Sequence, residues 1–160
     1  MCLRAGFSPG MEGAGIVAEV GYGVTRLKPG DRVVAGLRVG GFAEEVNVPE
    51  LACRPIPGSM DFAAAAAYPA AYLTAYVALV CRGHLQKGET LLVHGSTGGV
   101  GLAAVEMGKL LGATVIATSA SDEKLKIVKE RGADHVINVS GGFREKVKEL
   151  TGGRGADVIY

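Results

Sequence analysis

The feature that most constrains the fold is the nine-residue stretch VHGSTGGVG at residues 93–101, in which four glycines and several small residues follow an apolar run. A pattern typical of a helix begins at once after it. A strand, a glycine-rich turn and a helix in this order bring free backbone N–H groups and the positive end of the helix dipole to one point. We therefore expect a phosphate-binding turn whose ligand is a pyrophosphate.

The small residues of this turn have separate expected tasks. Gly98 permits a tight turn, Gly99 lets the backbone approach the phosphate oxygens, and Gly101 lets the helix lie close to the strand. Ser96 and Thr97 can add hydroxyl donors. The flanking strand, helix and second strand favour dinucleotide binding over a plain strand-to-helix turn, and no Gly-Lys-Ser/Thr follows to indicate a Walker-type loop. A methyl-donor cofactor remains an alternative ligand.

The end of the second strand predicts which dinucleotide binds. An Asp or Glu there would accept hydrogen bonds from the adenosine ribose and repel a 2′-phosphate. This sequence has Ser119 about 18 residues past Gly101, where the dinucleotide pattern places its acid. A serine can donate to a phosphate, and Lys124 can add positive charge unless it is only a solvated surface lysine. The pattern therefore favours NADP(H) over NAD(H).

From residue 89 onward, short apolar strands alternate with amphipathic helices. This alternation predicts a doubly wound parallel sheet with right-handed crossovers and helices on both faces, a Rossmann-type α/β fold. The expected strands are Thr90 to His94, Thr114 to Ser119, His135 to Val139 and the beginning of a fourth at Asp157; the expected helices are residues 99–111, 122–131 and 143–150.

The first third of the chain reads as β structure. Expected strands cover residues 15–20, 31–37 and 42–49, and a seam follows Pro55 and Pro57. The uncharged run from Phe62 to Val80 approaches the length that spans a bilayer, but we expect a buried helix pair, broken at Pro69 and ending near Arg82. The predicted domains are residues 1–58, 59–88 and 89–160.

The composition of the chain limits the classes of partner that it is expected to bind. Seventeen basic and sixteen acidic residues give a formal charge of +1, which offers no electrostatic footprint for nucleic acid or an anionic membrane. Small molecules or other proteins are the expected partners. Cys2, Cys53 and Cys81 show no paired or clustered spacing, so we expect free thiols and a reducing, cytoplasmic compartment. Arg4 alone makes no transit helix, and a mitochondrial location would need a longer N-terminus.

Several motifs in a fixed order carry a resemblance to a known family. The segments PGMEGAGIVAEVG, GDRV, GGFAEEV, LTAYVAL and HGSTGGVG resemble the medium-chain dehydrogenase/reductase superfamily, and within it the zinc-independent quinone oxidoreductase branch that includes zeta-crystallin. The resemblance extends from Pro9 to Tyr160. It implies part of a GroES-like β domain followed by an incomplete Rossmann-type domain that binds NADPH, in an enzyme that forms homo-oligomers.

The resemblance also assigns residues. It places Ser96, Val100 and the three glycines 98, 99 and 101 at the pyrophosphate, Ser119 and Lys124 at the 2′-phosphate, and Thr74 near the nicotinamide, with Tyr72 beside it. Tyr68 and Tyr76 are expected to pack in the core. Zinc-dependent relatives have a His before the Glu of the entry motif; here Met11 precedes Glu12, so we expect no metal site.

The resemblance implies reduction of a quinone or enone by hydride or electron transfer from NADPH. Without a metal to polarise a carbonyl, the nicotinamide itself must carry the chemistry. Both ends of the chain look cut, and we expect a fragment of a longer architecture. An alternative is therefore a truncated, catalytically inactive product that binds nucleotide or has a crystallin-like structural role.

Overall fold

The computed structural model describes residues 8–160, which form two compact units, each with its own sheet. The first unit ends at Ala70 and the second runs from Ala71 to Tyr160. This partition differs from the predicted division into residues 1–58, 59–88 and 89–160, which stays a prediction. Cys2 and Arg4 lie outside the described residues.

The first unit has a three-stranded antiparallel sheet in the order β1-β2-β3. The strands are β1 (Glu12–Ile16), β2 (Arg32–Gly36) and β3 (Cys53–Pro55). The second strand lies within its predicted range, whereas β1 begins three residues before its predicted start. The strand predicted at residues 42–49 is wrong: residues 42–45 form bends, residues 46–49 have no regular secondary structure, and residues 42–47 are all exposed. The Cys53 strand takes that place because its side chain joins a buried cluster with Val33 and Ala35.

A long helix follows the sheet. Helix α1 (Phe62–Tyr76) continues as a π-helical segment, Val77–Arg82, so the predicted break at Pro69 is wrong. A proline inside a helix removes one backbone hydrogen bond and crowds the preceding turn, at a cost of about 3 kcal/mol. Here the Glu12 carboxylate accepts a hydrogen bond from the Ala70 N–H at 2.8 Å, which gives the backbone group after the proline a partner.

The predicted burial of this helical segment is also wrong within the described chain. Its buried residues are Ala65, Ala75 and Leu79, while Leu73 is 62% exposed. By length and apolar composition, this is the one helix among the described residues that could cross a membrane. One such helix is by itself weak evidence for a membrane-spanning segment. An alanine side chain is small and buries little area. The apolar run therefore predicted more burial of this helix than the fold provides.

The second unit has a four-stranded parallel sheet in the order β6-β5-β4-β7. The elements are β4 (Thr90–Val93), α2 (Gly99–Leu110), β5 (Thr114–Ser119), α3 (Asp122–Glu130), β6 (His135–Asn138), α4 (Arg144–Leu150) and β7 (Val158–Ile159). The α/β fold with a preceding antiparallel sheet is therefore confirmed. The strand order reverses between β4 and β7, and parallel sheets of this type bind ligands at that edge.

Both faces of the parallel sheet are covered, as its continuous apolar strands predict. Alternate residues Leu91 and Val93 lie in one cluster with α2, whereas Leu92 lies in a second cluster with Val147 of α4. The face toward α2 is tightly packed, since a Cβ at Gly108 would lie 2.6 Å from a Leu91 methyl group. This packing fixes where α2 begins, and hence where its N-terminal amide groups point.

Candidate nucleotide-binding site

The turn between β4 and α2 is closed by its first glycine. Gly95 has φ +60°, a left-handed conformation that favours glycine, and its carbonyl accepts a hydrogen bond from the Gly98 N–H at 3.1 Å. Gly98 itself has φ −84° and ψ 165°, which any residue can adopt. The tight turn thus requires glycine at position 95, a residue to which sequence reasoning gave no role.

Gly101 and Gly99 differ in the space around them. A Cβ at Gly101 would lie 2.3 Å from the Gly95 carbonyl oxygen, whereas a Cβ at Gly99 would meet no protein atom within 4 Å. The helix therefore starts in direct contact with the turn, and the side at Gly99 is accessible. The close packing predicted at Gly101 is therefore present, and the task predicted for Gly99, approach to a phosphate, stays a prediction.

The start of α2 has the properties of an anion site. Its N-cap is Gly98, and no side chain of the described residues caps the helix there. The first N–H groups of a helix lack partners within the helix, and the dipole makes this end positive. Thr97 and Val100 flank the turn and are half-buried. Because glycine provides no capping group, a phosphate would supply the missing acceptors.

Ser96 supports the turn from inside the protein. The residue is fully buried, its hydroxyl donates to the Thr118 carbonyl at 2.9 Å, and its N–H donates to the same oxygen at 3.2 Å. Both donors are thus engaged with β5. In this arrangement Ser96 fixes the turn to the neighbouring strand instead of offering its hydroxyl to a phosphate.

The end of β5 holds the predicted 2′-phosphate residues. The Ser119 hydroxyl oxygen accepts from the Ser121 N–H at 3.3 Å, and the Ser121 hydroxyl caps α3 by accepting from the Lys124 N–H at 3.4 Å. Such a cap is worth about 1 kcal/mol. Lys124 is exposed, in the first turn of the helix. Ser119 and Lys124 are thus brought to one corner of the carboxyl edge of the sheet.

Two further residues at this corner escaped the sequence reasoning. Asn138 ends β6 and is the register partner of Ser119. Its amide donates to the Asp122 carboxylate at 2.8 Å. The contact could not be predicted from the sequence because Asn138 and Asp122 are 16 residues apart along the chain.

The two candidate nicotinamide residues lie on different sides of α1. Thr74 lines an open, apolar groove of about 640 Å³ together with Val158 and Tyr160. The Tyr72 hydroxyl donates instead to the Glu106 carboxylate of α2. The structure therefore does not bring Tyr72 and Thr74 together, because a helix turns by about 100° per residue.

The predicted core positions of two tyrosines are wrong within the described residues. Tyr68 is 49% exposed and Tyr76 is 46% exposed. Both lie on the helix whose burial the apolar sequence run overstated.

His94, directly before the turn, has local partners. Its Nδ1 lies 2.9 Å from the Thr118 hydroxyl oxygen, and its ring contacts Phe143 edge-on at 4.8 Å. His94 is thus held at the start of the turn by its neighbours.

The described residues contain no group of three or more His, Cys, Asp or Glu side chains that could hold a metal ion. Cys53 and Cys81 are free thiols within that part of the chain. Burial raises the pKa of the Cys53 thiol, aided by Glu50 and opposed by Arg54. Such a thiol is poorly reactive, because the thiolate is the nucleophile and the metal ligand.

Comparison with protein families gives a match within each of the two units. Residues 2–58 match the alcohol dehydrogenase GroES-like domain, and residues 99–160 match a family described as zinc-binding dehydrogenase. Quinone oxidoreductases and enoyl reductases are among the further matches. The chain belongs to the medium-chain dehydrogenase/reductase superfamily.

Individual relatives agree with this family. The chain is 46% identical over 157 residues to a quinone oxidoreductase-like protein 2 homolog of Nematostella vectensis, covering 96% of this chain and 42% of that protein. A probable oxidoreductase from Mycobacterium abscessus superposes with a TM-score of 0.93 at 42% identity, over 99% of this chain and 51% of that one. Escherichia coli quinone oxidoreductase complexed with NADPH gives a TM-score of 0.87 at 36% identity, over 98% and 48%. The chain thus spans about half the length of these relatives.

Proposed function

We propose that this chain forms the nucleotide-binding part of an oxidoreductase that uses NADPH to reduce a quinone or an enone without zinc. The observation that carries the proposal is the turn in which Gly101 lies against Gly95 while Gly99 stays accessible at the uncapped start of α2. Such a turn at the switch point of a parallel sheet suits a pyrophosphate. The complex of the similar Escherichia coli enzyme with NADPH supports the same cofactor.

Thr97, Gly99, Val100 and Gly101 would hold the pyrophosphate through backbone N–H groups, while the Gly98 N–H closes the turn on the Gly95 carbonyl. Ser96 would keep that turn fixed on β5. Ser119 and Lys124 would hold the 2′-phosphate by hydroxyl donation and charge. A bound nicotinamide supplies the hydride or electrons. Thr74 is the hydroxyl of the apolar groove that we assign to orient the ring.

The proposal needs no metal. Met11 offers no imidazole or thiolate at the position where zinc-dependent relatives have a ligand, and the Glu12 carboxylate beside it accepts from the Ala70 N–H. Quinones and enones suit hydride addition without a Lewis acid, because the added charge delocalises onto oxygen. We further propose a small-molecule acceptor, a homo-oligomer, a cytoplasmic location and no nucleic acid or membrane partner.

Fluorescence titration of the purified chain with NADPH and NADH tests the cofactor. We expect tighter binding of NADPH, and we expect Lys124→Glu to weaken NADPH binding by about tenfold with little effect on NADH, since only NADPH has the 2′-phosphate. Lys126→Glu is the matched control, an exposed lysine on the same helix. Equal affinity of the wild-type chain for the two cofactors would count against the assignment.

A second candidate function is nucleotide binding without turnover. It is favoured by the separation of Tyr72 from Thr74, which leaves only one of these two candidate hydroxyls in the groove. An assay of quinone and enone reduction with NADPH separates the two functions: binding without turnover supports the second. A thermal shift produced by a methyl donor, and by neither nicotinamide cofactor, would point to the remaining alternative.

A further inference from the structure

Asn138 connects the ends of two strands to the start of a helix. It is the last residue of β6 and pairs in register with Ser119, the last residue of β5. Its Oδ1 accepts from the Ser140 N–H at 3.0 Å, and its Nδ2 donates to Asp122 Oδ1 at 2.8 Å. A backbone N–H only donates and a carboxylate only accepts, so the two partners together define the orientation of the amide.

The Asp122 carboxylate is a negative charge close to the proposed 2′-phosphate site, where it would oppose NADPH binding. Asp122 is the first residue of α3, exposed, and only two positions before Lys124. A carboxylate at the end of the second strand accepts hydrogen bonds from the ribose hydroxyls of NAD(H) and repels the 2′-phosphate of NADP(H). Ser119 occupies the strand end in place of such an acid. Asp122, three residues later, nevertheless provides a carboxylate at the same corner.

We propose that Asn138 is a positioning residue for cofactor choice: its amide donates to one Asp122 carboxylate oxygen and so fixes this acid against the end of β6, which leaves Ser119 and Lys124 to take a 2′-phosphate. The inference rests on the proposed use of NADPH. It assigns the preference to a tethered acid in addition to the absence of an acid at position 119. Asn138 makes no contact with the cofactor in this scheme and acts through Asp122.

The test is a double-mutant cycle on cofactor affinity in the full chain. Asn138→Ala releases Asp122, and we expect NADPH to bind about threefold to tenfold more weakly, the effect of one partly screened charge, with NADH affinity unchanged or higher. In an Asp122→Asn background the same Asn138→Ala change is expected to leave the NADPH/NADH affinity ratio unaltered, because the released side chain no longer carries a charge.

A matched background separates this acid from general charge removal. Glu123→Gln also removes one negative charge from the first turn of α3. There the Asn138→Ala change is expected to keep its full effect on the ratio. Asn138→Ser is the second variant if alanine impairs folding, because its hydroxyl can still accept from the Ser140 N–H and is too short to hold Asp122.

The outcomes are distinct. An equal loss of affinity for both cofactors would make Asn138 a purely structural residue and overturn the inference. So would a selective loss of NADPH that persists in the Asp122→Asn background. A wild-type chain without preference for NADPH would instead overturn the proposed function itself, and the inference with it. A selective loss that disappears only in the Asp122→Asn background supports the inference.

Discussion

Gly99 and Gly101 lie in the same helical turn, yet a side chain at each would meet different surroundings. A methyl group at Gly101 would overlap the Gly95 carbonyl at 2.3 Å, and backbone cannot move aside as a flexible side chain can. At Gly99 the same methyl group would point away from protein atoms. Packing of the turn therefore depends on Gly101, whereas the ligand binding proposed above would depend on Gly99.

Substitution of the two glycines tests this division. We expect Gly101→Ala to lower the free energy of unfolding by about 1–3 kcal/mol, the range for overpacking, in urea titrations followed by circular dichroism. Gly99→Ala should change stability by less than about 1 kcal/mol and weaken NADPH binding. A stable Gly101→Ala protein, or a Gly99→Ala protein with wild-type affinity for NADPH, would contradict the assignment.

At this scale the sequence predicted only part of the site. The spacing of Gly101 after β4 was enough to predict its packing role, because that spacing determines where the helix begins. The roles of Gly95 and Ser96 could not be predicted in the same way. Dihedral angles and the partner of a hydroxyl depend on where β5 lies, and the residue types alone do not contain that information.

Among the elements, α2 and the start of β6 are joined by an ion pair. Lys109 Nζ lies 2.8 Å from both carboxylate oxygens of Asp134, and Asp134 Oδ2 accepts from the Val115 N–H at 2.7 Å. Burial has the largest single effect and raises the pKa of Asp134, but the hydrogen bonds from Lys109 and Val115 together with nearby positive charge, chiefly that of Lys109, hold this pKa below the usual carboxyl value. The carboxylate thus connects a helix, a strand end and the neighbouring strand.

This ion pair predicts a pH dependence of stability. A carboxyl group with a lowered pKa in the folded state stabilises the protein above the ordinary carboxyl pKa of about 3.9, and this contribution disappears as the pH falls through the folded-state value. We expect Asp134→Asn to cost about 1–2 kcal/mol at pH 7, with the difference from wild type shrinking below about pH 4. Urea unfolding at a series of pH values measures the difference in unfolding free energy between the two proteins. A difference that does not change with pH would refute the role of the charge.

Element types were easier to predict than element ends and burial. The alternation from residue 89 onward predicted each α-helix and strand from β4 to β7, because apolar periodicity reflects burial on a local surface. Pro69 misled the prediction, since a helix can retain a proline when a distant group such as Glu12 binds the N–H that follows it. The strand at Cys53 was missed because three residues carry too short a pattern.

For the molecule as a whole, the two edges of the parallel sheet differ in chemistry. The β7 edge adjoins the apolar groove, and Ile159 is 65% exposed there, with Leu73 at 62% and Val77 at 42%. The β6 edge has Val136 among the charged residues Lys129, Lys146 and Glu149. An exposed apolar edge strand favours association, whereas charged side chains oppose it.

Lysine substitutions at the two edges compare them directly. We expect Ile159→Lys to reduce concentration-dependent light scattering and binding of a hydrophobic dye, because it places a charge in the apolar patch. Val136→Lys is the control at the other edge and should change both signals little. Unfolding midpoints near wild type would show that each variant is folded. Equal effects of the two substitutions would argue that the β7 edge has no special role in association.

The sequence by itself determined the class of the protein: the parallel α/β unit, the glycine turn at its switch point and the serine at the end of the second strand. These features are local in the chain, so spacing and periodicity express them. Only the tertiary structure decided that Ser96 is engaged with Thr118, that Tyr72 and Thr74 point apart, and that Asn138 holds Asp122. Each of these depends on which strands are neighbours and which face a side chain takes, and those relations form only when segments distant in sequence pack together.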